Sequence, residues 1–102
     1  MSVLVVTKDN FESEVMKSEK PVLLDFYADW CGPCRMVSPI VDEISEEHPE
    51  YLVGKVNVDN DPELARAFGV SNIPMLAVVK DGKLVSASVG AKPKDKILEM
   101  LV

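Results

Sequence analysis

The chain has 102 residues, 47% of them apolar, with a formal charge of −6 and a pI near 4.7. That length leaves room for one domain, expected to span residues 1–102, with enough apolar mass to build a core without disulfide or metal staples. The acidic balance excludes a phosphate-binding surface of clustered Lys and Arg, so no nucleic-acid partner is expected.

Taken in chain order, Met-Ser-Val-Leu-Val-Val-Thr is too short an apolar run for a signal segment, and no later run approaches a membrane span. A soluble, cytoplasmic protein with no membrane partner is expected. Val3 to Val6 reads as a strand, and Asn10 as the cap of a helix carrying Phe11, Val15 and Met16 on one face. Val22 to Ala28 is apolar at alternating positions of both parities, the pattern of a central strand. After Cys31-Gly32-Pro33-Cys34, the residues Met36, Val37, Ile40, Val41 and Ile44 follow helical spacing to about His48, where Pro49 ends it. Pro39 lies inside that helix and should kink it.

Leu52 to Val58 is the next strand, and the intervening helix completes a βαβ unit with parallel pairing. Asp61-Pro62 starts a short helix and Gly69 stops it. Met75 to Val79 and Leu84 to Val89 flank Asp81-Gly82, which predicts an antiparallel hairpin. Pro93 opens a last helix with Ile97, Leu98 and Leu101 buried, although Lys92, Lys94 and Lys96 oppose its dipole. The fold class is α/β: a mixed sheet of about five strands flanked by about four helices on both faces.

Two cysteines three positions apart close too small a loop to restrain the unfolded chain, so their chemistry matters more than stapling. A Cys-x-x-Cys between a buried strand and a helix places the first thiol where unpaired N–H groups and the helix dipole favour an anion. Cys31 is thus the expected nucleophile. Cys34, within the first turn and facing inward, is suited to resolve a mixed disulfide. Gly32 permits close approach of a partner backbone, and Pro33 needs no N–H partner there. Zinc would need four ligands, and His48, the only other soft candidate, is about four helical turns away. Covalent haem needs Cys-x-x-Cys-His, whereas Arg35 follows Cys34. A pair of inert buried thiols is the remaining alternative.

Asp25 sits in the middle of an apolar strand, on the face of Leu23 and Tyr27. Burial raises a carboxyl pKa, so Asp25 is a candidate acceptor for the proton of Cys34. Its other reading is a structural carboxylate paired with Lys55, which has the right parity on the neighbouring strand.

The run Asp25-Phe26-Tyr27-Ala28-Asp29-Trp30-Cys31-Gly32-Pro33-Cys34 resembles the active-site signature of the thioredoxin family. The resemblance extends over nearly the whole chain through Pro39, Lys55, Ile73-Pro74 and Gly90-Ala91. It implies the thioredoxin fold and dithiol–disulfide exchange with disulfide-containing target proteins. It further implies a thioredoxin reductase as electron donor, no cofactor or metal, and a monomer. By the same resemblance Pro74 is cis beside the cysteines, and Trp30, Gly32, Pro33, Ile73, Pro74, Gly90 and Ala91 form an apolar docking surface. The plain reading of Ile73-Pro74 is a trans turn, and Trp30 alone reads equally well as a half-buried packing residue.

Three departures stand out. Tyr27 replaces a common tryptophan, Met75 a usual threonine, and Pro93 a capping residue. Met75 could alter substrate fit or fill the core. Two rivals remain at this point: a glutaredoxin-like or isomerase-like redox protein, and an interaction module that binds without redox turnover.

Overall fold

The computed structural model describes residues 3–102. Five strands, β1 (Val3–Val5), β2 (Val22–Tyr27), β3 (Leu52–Asn57), β4 (Met75–Lys80) and β5 (Lys83–Val89), form one sheet in the order β1-β3-β2-β4-β5. β3 runs parallel to β1 and β2, whereas β4 is antiparallel to β2 and β5. The mixed sheet expected from the sequence is therefore found, with β2 inside it.

Successive side chains of a strand point to opposite faces, and β2 uses both. Val22, Leu24 and Phe26 pack with Val15, Leu64 and Phe68 on one face. Leu23 packs on the other with Val37, Val41 and Ile44 of α1 (Gly32–Glu47) and with Ile97 and Leu101 of α3 (Lys94–Leu101). The short α2 (Pro62–Ala67) and a π-helical turn, Phe11–Met16, cover the first face. No helix among the described residues is long and apolar enough to cross a membrane.

The turn signals act as their backbone chemistry dictates. Asp81 and Gly82 both take positive φ, 52° and 74°, as a two-residue hairpin requires to match the strand twist. Gly69, just beyond α2, ends that helix with φ 68°.

Two local expectations need correction. Asn10 precedes the Phe11–Met16 turn, but its side chain does not cap it. Its Oδ1 accepts from the Thr7 N–H and its Nδ2 donates to the Val5 carbonyl, so the amide ties the turn back to β1. Met36, read as part of the apolar stripe, is 70% exposed, because the packed positions of α1 are Cys34, Val37, Val41, Ile44 and Ser45. Pro93 stands at the N-cap of α3 in extended backbone and so opens the helix as expected. The lysine next to it, Lys94, is taken up by Glu47 and, at 3.3 Å, by Glu43 of α1, so the unfavourable dipole contact is offset by ion pairs between helices. The hydrogen bond from Lys94 holds the Glu47 carboxyl below its ordinary range.

Gly54 marks where strands approach closely. It pairs with Leu4 and Leu24 in the interior of β3, and a Cβ there would lie 2.6 Å from Val6 Cγ2 and 3.3 Å from Leu24 Cδ2. Val6 is buried and branched, so it has little room to yield. Gly54→Ala is expected to lower the unfolding free energy by about 1–3 kcal/mol, read as a reduced urea midpoint at unchanged m-value.

Candidate active site

Antiparallel pairing of β2 with β4 sets Phe26 beside Met75, so the residues after β2 meet the residues before β4. That is how Cys31 reaches Ile73, 42 positions away in sequence: the Cys31 Sγ lies 3.9 Å from the Ile73 carbonyl oxygen. Ile73-Pro74 is cis, as the resemblance implied and the plain reading did not.

Cys31 occupies the N-cap of α1 in extended backbone, and its Sγ accepts the Cys34 N–H at 3.2 Å. A sulfur held there receives one of the orphan N–H groups of the helix start. Cys31 and Cys34 are joined by a disulfide with Cα atoms 5.3 Å apart, and both are buried. The alternative of a pair of inert thiols is thereby set aside. His48 stands at the other end of α1, 2.9 Å from the Glu50 carboxylate and stacked on Tyr51.

The surface around the disulfide is only partly the one expected. Trp30, Gly32, Pro33 and Ile73 line one groove with Cys31, Val58 and Val70. Trp30 is 69% exposed, not half-buried, and its indole N–H donates to Asp59 Oδ2 at 2.9 Å. Asp59 was missed in the sequence, where nothing relates it to a tryptophan 29 positions earlier. Pro74 is buried, and its carbonyl accepts the Gly90 N–H at 2.7 Å. Ala91 lines a separate groove with Met36, Val37, Ile40, Lys92 and Pro93. Met75 is buried in the core among residues such as Val15 and Phe26, so it fills space there.

On the other side of the disulfide, a cavity of about 190 Å³ is lined by Asp25, Tyr27, Ala28, Asp29, Cys34, Arg35, Ser38 and Lys55. Asp25 is 3% exposed, and its Oδ1 has no hydrogen-bond partner. Burial pushes its carboxyl from the ordinary 3.8 up to about 7; the positive charge of Lys55 works against that rise, and Asp42 adds to it. Asp42 also escaped the sequence reading, although its place two helical turns beyond Cys34 was a usable signal. Lys55 stands in register with Asp25, yet its ammonium lies over the Tyr27 ring, 5.8 Å from the centroid. The ion pair with Lys55, the alternative reading of Asp25, is not formed.

Two sulfurs already bonded to each other, at a helix start that stabilises a thiolate, can exchange that bond for one with a sulfur of another molecule. Such a site defines a thiol–disulfide oxidoreductase. The thioredoxin family profile matches residues 2–102. A thioredoxin of Streptomyces clavuligerus is 48% identical over 93 residues, covering 91% of this chain and 87% of the relative. One of Pyropia yezoensis is 47% identical over 102 residues, covering 99% and 95%. Thioredoxin 1 of Synechococcus elongatus is 47% identical over 97 residues, covering 94% and 91%. The chain belongs to the thioredoxin family, has its fold, and reduces protein disulfides by exchange at Cys31–Cys34.

Proposed function

We propose that the chain works as one domain over residues 1–102, a monomeric carrier of the cytoplasm. In the dithiol form, the Cys31 thiolate attacks one sulfur of a target disulfide, forming a mixed disulfide and releasing the other target sulfur as a thiolate. Cys34 gives its proton to Asp25 and attacks the Cys31 Sγ, which releases the second target thiolate and closes Cys31–Cys34. The target has then gained two electrons, and a thioredoxin reductase returns two to the carrier. Gly32, Pro33, Trp30 and Ile73 receive an extended target segment, with the backbone around Pro74, Gly90 and Ala91 at its edge. Lys55 stands opposite Asp25 across β2 and β3 with its ammonium turned to Tyr27, and no metal or organic cofactor takes part.

The observation that carries this reading is the Cys34 N–H directed at the Cys31 Sγ at the start of α1. It distinguishes the two sulfurs, since only the first is held by the helix start. The test is insulin reduction by dithiothreitol with catalytic amounts of the protein. Acceleration is expected, and Cys31→Ser should return the rate to that of dithiothreitol alone. Equal acceleration by the variant would remove Cys31 from the role of nucleophile.

A further inference from the structure

The Asp25 carboxyl is buried beside a lysine that does not pair with it. Asp25 and Lys55 are directly opposed across β2 and β3, and no other strand intervenes. A four-carbon stem in that position could bring an ammonium to the carboxyl, yet Oδ1 is left without a partner and Nζ lies over the face of Tyr27. Tyr27 follows Asp25 by two positions on the same face of β2, at the half-exposed end of the strand. Its ring therefore offers the ammonium a seat where water can still reach it, and a cation within about 6 Å of a ring centroid is attracted by the ring quadrupole.

We propose that Tyr27 is a positioning residue: its ring holds the Lys55 ammonium away from Asp25 and leaves that carboxyl without an ion-pair partner. The inference rests on the proposed role of Asp25 as proton acceptor only for its consequence, because a carboxylate paired with an ammonium is a poorer base. The charge positions themselves are independent of that role. The other groups facing Asp25 do not provide the missing partner. α1 contributes Cys34 and the acidic Asp42; Arg35, on the rim of the cavity, gives its Nη2 to the Asp29 carbonyl. β4 presents the apolar Leu76 in register.

The test is the titration of the Asp25 side-chain carboxyl carbon by NMR in the disulfide form, where neither cysteine ionises. Tyr27→Leu keeps apolar bulk but removes the ring, and its Asp25 midpoint is expected to fall by about one pH unit as Lys55 swings back. Tyr27→Phe keeps the ring and should titrate like the parent. The same pair is then measured with Lys55→Met in the background, where the effect of Tyr27→Leu should vanish. An equal fall in that background would mean that the ring only excludes water, and would overturn the proposal. So would an unchanged midpoint in Tyr27→Leu alone. The rate of mixed-disulfide resolution in Asp25→Asn tests the catalytic role separately, so failure of one reading leaves the other standing.

Discussion

Cys34→Ser is expected to turn the carrier into a trap: target disulfides are still attacked, but the protein stays covalently bound to the first one it meets. Cys31 keeps its place at the N-cap of α1, where the backbone N–H three residues on still donates to its sulfur. What is lost is the second sulfur, and with it the only intramolecular route out of the mixed disulfide. Turnover with insulin should fall to the rate of dithiothreitol alone, while a band at the summed mass appears on non-reducing gels and disappears on reduction. Should no mixed disulfide form with the Cys34→Ser variant yet form with Cys31→Ser, the order of attack given above would be reversed.

Asp25→Asn should produce the largest change in stability. The native carboxyl titrates at about 7, because burial disfavours the charge, against an ordinary value of 3.8. Well below the ordinary value both folded and unfolded chains hold the proton, and the group has no effect on stability. Between the two values the folded chain holds a proton that the unfolded chain has released, so stability falls as pH rises and the full penalty is present above about 7. The difference corresponds to about 4 kcal/mol at about pH 8. An uncharged, nearly isosteric amide removes that penalty. Urea unfolding of the disulfide form should therefore show parent and variant converging as the pH is lowered to about 4, and the variant more stable by roughly that amount at about pH 8. Parallel curves across the range would show that Asp25 titrates normally. In the dithiol form the same variant should resolve mixed disulfides about 10²-fold more slowly, since the proton of Cys34 has lost its acceptor.

The elements that were legible in the sequence are those whose signals are local. Val22–Tyr27 announces a buried strand by apolar residues of both parities around a single Asp25, and Asp81-Gly82 announces a hairpin because few other pairs adopt positive φ in succession. The Cys-x-x-Cys pair announced its chemistry by its place between strand and helix. What stayed hidden depends on contacts across long separations. Nothing near Asn10 says that its amide will turn back to Val5, and helical spacing alone placed Met36 on the packed face when it lies beside it. The cis bond before Pro74 came only by resemblance, since a single X-Pro pair favours trans. Parity correctly set Lys55 opposite Asp25, but parity says nothing of which way a long side chain leans.

β2 is hydrogen-bonded along both edges, to β3 and to β4, and it leads directly into the segment that bears Cys31. Its amides can exchange with solvent only when a neighbouring strand departs, so this segment belongs to the part of the molecule that opens last. The reacting sulfurs are thus rooted in the slowest-opening segment while lying at the end of the sheet. Bond making and breaking take place beyond that end, since the ladders of β2 stop at Tyr27, before Cys31 is reached.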